Sequence, residues 1–274
     1  MRKRGVMGSR VVSAADDGSA RAGTLDRGLS ILEFFVQVRE APASRVVDDL
    51  GVSRSAIYRI LDTLRERGYL EINPASGKLR LGVGAAELGM AALAGIEVVR
   101  LAPPYLHRLV KVTLETVFLA VMNGNAMVYV YKEEGPQAVK MSSELGSRRP
   151  LHCTSLGKAY LSALHDEKKR SLIGELDLKR YTANTITDAA ALEAEVAATK
   201  ERGYAVDRVE VEEGVACLGA PVRDHRGLPV AAISIAGPAE RVLAKEDRIG
   251  PLVAETASAI SRRLGYIMTP TEKE

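Results

Sequence analysis

The chain contains no tryptophan, and only 4% of its 274 residues are aromatic. Apolar residues still reach 46%, so any core must be aliphatic, built from Leu, Val, Ile and Ala. There are two cysteines, Cys153 and Cys217. Two thiols make no disulfide framework, and such sparing use fits a reducing cytoplasm. No apolar run approaches the roughly 20 residues needed to span a bilayer, so no membrane partner is expected. The start is basic (Arg2, Lys3, Arg4), but no apolar stretch follows, which excludes a secretory signal. Four histidines and two cysteines are scattered without zinc-ligand spacing, so neither metal nor other cofactor is expected. No Ser-His-Asp or Cys-His-Asn order stands out, which argues against an enzyme.

The length exceeds one domain of roughly 100–200 residues, and two domains are the natural reading. Net charge is +3, and its distribution is uneven. Residues 1–23 carry five Lys/Arg against two Asp, residues 24–82 nine against eight, and the remainder 24 against 25. The excess therefore sits in the first 23 residues, read as a flexible tail or as an arm that touches phosphates. Any nucleic-acid surface in 24–82 must come from a clustered face.

Thr24 is read as the cap of a first helix ending near Val38, with Leu25, Leu29, Leu32 and Val36 as its buried stripe. A short second helix follows Pro42, with Ala43, Val46, Val47 and Leu50 inward and Ser44 and Arg45 outward. Gly51 ends it, Val52 anchors the turn, and Ser53 caps the third helix. There Ile57, Ile60, Leu61 and Leu64 face in, while Arg54, Ser55, Tyr58, Arg59 and Asp62 face out. Two short helices joined by a Gly-containing turn are a helix-turn-helix, whose second helix reads bases from the major groove. Arg can bond guanine or a phosphate, and Ser can serve either. Tyr69 to Ile72 and Lys78 to Leu81 then form a hairpin around Asn73 to Gly77, with Lys78 and Arg80 on one face. A basic two-stranded wing of this kind can lie along the DNA backbone.

Three runs carry a family resemblance: Leu25 to Leu32, Gly51 to Leu61, and Gly77 to Gly82. They resemble the DNA-binding domain of the IclR family of bacterial transcription regulators. One departure is Ser44-Arg45, where the family usually has Ala followed by an acid; Arg45 would add a phosphate contact. The DNA-contacting set is thus Ser44, Arg45, Ser53, Arg54, Ser55, Tyr58, Arg59, Lys78 and Arg80.

Residues 84–101 are rich in Ala, Leu, Gly and Met, with Ala85, Leu88, Ala92 and Leu93 at helical spacing. They are read as a linker helix that packs on its own chain or on a second copy. Pro103 and Pro104 interrupt, and a helix from Tyr105 to Leu114 follows. Beyond it, Thr116 to Met122 and Met127 to Lys132 read as a hairpin turning at Asn123-Gly124, and Gln137 to Ser142 as a further strand. Ser155–Leu164, Asp166–Leu176 and Asp188–Arg202 read as helices. Val215–Arg223 and Leu228–Ala236 flank a turn at Asp224 to Gly227, and Lys245–Leu264 is a long last helix. Hairpins favour an antiparallel sheet over a doubly wound one. The expected fold is α+β: a winged helix-turn-helix of three helices and a β-hairpin wing (24–83), a linker helix (84–101), and a domain with a central antiparallel sheet (102–268), between tails at 1–23 and 269–274.

Pro150 to Ala159, Arg202 to Asp207, and Gly214 to Val222 with Ser234 to Pro238 extend the resemblance over residues 24–265. It implies a GAF-like domain that senses a small organic acid. The start of the helix at Thr154 to Gly157 offers free amides to an anion. Ser155 and Ser234 can donate hydroxyls, and Asp207 can accept from a ligand. Matching the motifs gives a pocket of Met141, Arg149, Ser155, Leu156, Asp207, Cys217, Ser234 and Ala236. The residues alone leave Cys217 open between core and pocket wall, Arg149 between pocket and solvent, and Thr154-Ser155 between site and helix cap. His107, His165 and His225 are read as surface residues. Tyr181 to Asp188 resembles members that handle sugar acids, which points to a sugar acid or its keto derivative.

The expected protein is a cytoplasmic DNA-binding regulator, repressor or activator. Its partners are double-stranded operator DNA, a small organic acid and its own copies, as homodimer or homotetramer. Two other classes remain: an enzyme with a cysteine nucleophile, and an architectural DNA binder that senses nothing.

Overall fold

In the computed structural model, residues 23–50, 54–141 and 143–267 are described. The chain divides into two compact units, one up to Ala86 and one from Glu87 on.

The first unit holds α1 (Thr24–Gln37), β1 (Glu40–Ala41), α2 (Ala43–Leu50), α3 (Arg54–Glu66), β2 (Leu70–Ile72) and β3 (Leu79–Leu81). The strands form an antiparallel sheet in the order β1-β3-β2. Its core joins Ile31, Phe34, Phe35, Val46, Val47, Ile57, Ile60, Leu61, Leu70 and Leu79. The expected faces of α2 and α3 are the observed ones. That of α1 is not, because Leu25 is 76% exposed and Leu29 and Val36 are half exposed. The helix has two apolar stripes, and the one with more apolar area wins: Phe34 and Phe35 pack edge to face, 5.1 Å between centroids. The cap position of α1 is Gly23, with no side-chain bond, and Thr24 is already helical. Gly51, Val52 and Ser53, to which the turn and the cap of α3 were assigned, lie outside the described residues.

The chain continues through α4 (Val83–Ala94) and α5 (Glu97–Leu101). The linker region is therefore two helices, parted at Gly95-Ile96. Then come α6 (Pro103–Thr113), β4 (Thr116–Asn123), β5 (Ala126–Glu133), β6 (Arg148–Pro150), α7 (Ser155–Ser162), α8 (Asp166–Gly174), α9 (Ala189–Arg202) and β7 (Ala205–Arg208). The last elements are β8 (Val215–Arg223), β9 (Pro229–Pro238), α10 (Ala239–Leu243) and α11 (Glu246–Arg263). Helix ends differ from the expected ones by about two residues, as frayed termini do.

Six strands form one antiparallel sheet in the order β6-β5-β4-β9-β8-β7. Alternation gives it two apolar faces. One carries Leu119, Val206, Leu218, Ala220, Ile233 and Ile235 against Leu106, Ile249, Val253 and Ile260 of α6 and α11. The other carries Phe118, Ala120, Met127, Tyr129, Ala205, Ala232 and Ala236 against Leu156, Ala159, Leu192 and Val196 of α7 and α9.

Two expectations for this sheet are corrected, and one strand went unread. The strand expected at 137–142 does not form among the described residues; Arg148–Pro150 pairs with β5 instead. Val139 is held instead by α10, since Arg241, which grips buried Glu115, donates to its carbonyl (3.0 Å). The β4–β5 turn is Gly124-Asn125, one residue later than expected, with Gly124 at φ +60°. Finally β7, which pairs with β8, is too short for its alternation to show in sequence.

Candidate functional site

On α3, burial of Ile57, Ile60 and Leu61 fixes the opposite face outward. Arg54, Ser55, Tyr58 and Arg59 are exposed together on it. Among the described residues neither Arg54 nor Arg59 has an acidic partner, so both guanidinium groups are free to meet phosphates or guanine. Ser44 and Arg45 are exposed on α2; Arg45 lies 3.5 Å from Asp49 and 6.0 Å from the Phe34 ring centre. Ser53 lies outside the described residues. The wing departs from the expected free basic face. Lys78 lies 3.6 Å from Glu40, and Arg80 lies 2.6 Å from Glu71.

In the second unit, sheet register places Asp207 opposite Cys217, Cys217 opposite Ala236, and Gly219 opposite Ser234. Asp207, Cys217, Ser234 and Ala236 therefore share one face, under the start of α7. Thr154 caps α7: its hydroxyl accepts from the Gly157 amide (3.0 Å) and donates to the Pro150 carbonyl (2.6 Å). The helix start rests directly on the sheet, because a Cβ at Gly219 would come within 2.9 Å of the Ser155 backbone. A Cβ at Gly157 would overlap the Leu151 backbone. Ser155 and Leu156 are buried there. Arg149, opposite Met127 on β6, lies with its guanidinium 5.2 Å from the Tyr129 ring centre and donates to Ser143 Oγ. Among the described residues its buried Nε has no partner. Met141 is half-buried against the same cluster, as is Cys217.

The electrostatics of this face are dominated by burial. The Asp207 carboxyl is 3% exposed. Desolvation pushes it up to about 7, with the Glu210 charge adding to the shift and Lys158 opposing it. Its Oδ1 accepts from the Glu210 amide at 2.7 Å. Burial, helped by Asp207, drives the Cys217 thiol well up, and Cys153 likewise. A nucleophilic cysteine needs the reverse, a lowered pKa. Among the described residues no group of three His, Cys, Asp or Glu is placed to hold a metal.

Several functional neighbours went unread in the sequence. Lys158, 1% exposed inside α7, ion-pairs with Glu210, 4% exposed, and lies 4.0 Å from Glu195. A lysine amid Leu156, Gly157, Ala159 and Leu161 was the available signal. The run Tyr181 to Asp188 acts on the chain beside it. Thr182 donates to the Val209 carbonyl (2.7 Å), Thr185 to that of Glu210 (2.6 Å) and Asn184 to that of Arg208 (3.0 Å). This clamp holds Val209 at φ +64°, a costly conformation for a β-branched residue. His152 is buried and its Nε2 meets the Lys179 carbonyl at 3.0 Å, while His107, His165 and His225 are exposed.

Two open cavities lie elsewhere, of about 370 Å³ and about 290 Å³. The larger lies beside β8 beyond the end of β7, and several of its lining groups already have partners. Ser162 and Ser261 donate to helix carbonyls, and Arg223 donates to Ala163 and Gly227.

The IclR helix-turn-helix domain family matches residues 24–74. The family of the bacterial transcriptional regulator IclR C-terminal domain matches residues 90–262. The HTH-type transcriptional repressor AllR of Escherichia coli K12 is 34% identical over 91% of this chain and 93% of its own. The HTH-type transcriptional regulator XynR of the same organism is 32% identical over 89% and 97%. The Thermotoga maritima IclR structure superposes with a TM-score of 0.72 at 33% identity, covering 89% of this chain and 99% of its own. An IclR homolog from Microbacterium hydrocarbonoxydans, complexed with 4-hydroxybenzoate, gives 0.76 at 26% identity, covering 88% and 99%. Among the described residues no helix is long and apolar enough to cross a membrane.

Proposed function

Because the chain belongs to the IclR family of bacterial transcription regulators, we propose that it controls operator binding through a small organic acid held on the α7 face of its second unit. The observation that carries this reading is the gathering of Asp207, Cys217, Ser234 and Ala236 on one sheet face beneath the first amides of α7. Arg149 adds a cation, Ser155 and Leu156 line the helix start, and Met141 closes the apolar side. A carboxylate fits the helix start, while its hydroxyl or keto end meets Asp207 and Ser234. A sugar acid or its keto derivative is the class we favour. The 4-hydroxybenzoate complex of the Microbacterium homolog supports an acid ligand in this fold. Screening organic acids by thermal shift against wild type and Ser234→Ala tests it. No stabilisation by any acid, or equal stabilisation of both proteins, refutes the pocket.

Operator reading falls to α3 through Arg54, Ser55, Tyr58 and Arg59, with Ser44 and Arg45 exposed on α2. Arg54→Ala and Arg59→Ala are each expected to cost about 1–3 kcal/mol of operator affinity while the fold stays intact. Unchanged gel-shift titrations at fixed salt would remove α3 as the reader.

The regulator is cytoplasmic and works as a homodimer or homotetramer. One helix-turn-helix reads only a few base pairs, so specificity on a genome needs paired half-sites. The linker, residues 84–101 between a DNA-binding domain at 24–83 and an effector domain at 102–268, supplies the seam. In α4 no residue is buried, and Leu88 and Met90 are 58% and 63% exposed. Sedimentation is expected to show a dimer or larger species. A monomer that persists with DNA present contradicts this.

A further inference from the structure

The wing is built around one carboxylate from outside it. Glu40 lies on β1, between α1 and α2, yet it accepts from Asn73 Nδ2 at 2.9 Å and from Ser76 Oγ at 3.0 Å. Lys78 Nζ lies 3.6 Å from its other oxygen. Asn73, Ser76 and Lys78 are the two ends and the tip of the β2–β3 turn. Those bonds and the Lys78 charge hold the Glu40 carboxyl below the usual range. Register then sets Glu40 and Glu71 on either side of Arg80, and Arg80 bonds Glu71. One face of the three-stranded sheet thus interleaves two acids with two cations, and its net charge is zero.

We propose that Glu40 is a positioning residue that fixes the wing turn and withholds Lys78 from the DNA backbone, so that the wing sits beside DNA without adding sequence-blind attraction. This rests on the reading that the first unit binds DNA with α3 in the groove. Phosphate attraction supplies non-specific affinity, whereas base contacts specify. A neutral wing therefore widens the gap between operator and random DNA.

The test uses the full-length protein and a random-sequence 30-base-pair duplex, with Kd measured by fluorescence anisotropy across a potassium chloride series. Glu40→Gln keeps an oxygen that accepts from Asn73 and Ser76 but frees Lys78. It is expected to tighten binding at low salt and to steepen the log Kd against log salt slope by about 0.9 per bound subunit. Glu40→Gln with Lys78→Gln returns the slope to the wild-type value, and Lys78→Gln alone leaves it unchanged. An unchanged slope in Glu40→Gln overturns the proposal. So does a flatter slope in Lys78→Gln alone, which means that Lys78 already touches phosphate. A purely structural loss at Glu40 weakens binding at every salt without steepening the slope, and this also overturns it. Arg59→Ala titrated against operator DNA isolates the underlying reading: if it binds operator like wild type, α3 is not the reader, whatever Glu40 does.

Discussion

Lys158→Met is expected to destabilise the second unit by about 3–5 kcal/mol, the usual cost of breaking one half of a buried ion pair. For a unit of this size that lowers the melting temperature by roughly 6–20 °C. The side chain is 1% exposed and its ammonium sits on Glu210, itself buried. Removing the cation leaves Glu210 as an uncompensated charge, and among the described residues its Oε2 has no partner to begin with. Burial already raises the Glu210 carboxyl above its usual value, and Lys158 is the main force opposing that rise. In the variant the carboxyl moves up further. The cost is therefore largest at high pH and shrinks as pH falls and Glu210 takes up a proton. Replacing both partners, Lys158→Met with Glu210→Leu, removes both desolvation penalties and is expected to restore most of the stability. A melting temperature within about two degrees of wild type for the single variant at pH 8, against the shift expected for a unit of this size, would show that the pair is idle.

The helix-turn-helix was legible because its signals are local and agree with one another. Ile57, Ile60 and Leu61 repeat at helical spacing, and the polar face opposite carries the cations. The α1 face was misread for a reason that sequence alone does not settle. Leu25, Leu29 and Val36 repeat as regularly as Ile31, Phe34 and Phe35, and only the partners on α2 and α3 decide which stripe is buried. The residues proposed to sense the acid were gathered in sequence by resemblance alone, and their physical adjacency shows only in the register. Asp207 and Ala236 stand 29 positions apart, and nothing in either neighbourhood says that Cys217 bridges them across β8. Pairing of charges over long separations was the least visible layer. Lys78 was read as a free cation of a basic wing, and Glu40, Lys158 and Glu210 drew no reading, because a lone charge in sequence carries no mark of the acid or base that will meet it.

Affinity for an organic acid is expected to be flat in pH below about 7 and to fall by about tenfold per unit above it. The cause is Asp207. Its buried carboxyl ionises only near 7, and the proposed ligand brings a second anion to the same sheet face. The facing groups are Lys158 of α7, Arg149 of β6, Cys217 of β8 and Glu210 beyond β7. Lys158 is already held by Glu210, and Glu210 itself repels a charge on Asp207. The ligand therefore binds the protonated carboxyl, and each pH unit above 7 leaves about ten times less of that form. The unliganded unit carries the matching sign. A carboxyl raised in the folded state contributes stability that is fully present below its unfolded value of roughly 4 and is lost as pH rises through 7. Asp207→Asn keeps an oxygen to accept from the Glu210 amide and cannot ionise. It is expected to hold its affinity constant from pH 6 to 9 and to flatten the stability slope over pH 4 to 7. Calorimetric titration of the strongest acid found by thermal shift, at four pH values with both proteins, reads the difference. If wild type shows no loss between pH 7 and 9, or if Asp207→Asn loses affinity in parallel with it, the proton belongs to another group and Asp207 does not meet the ligand.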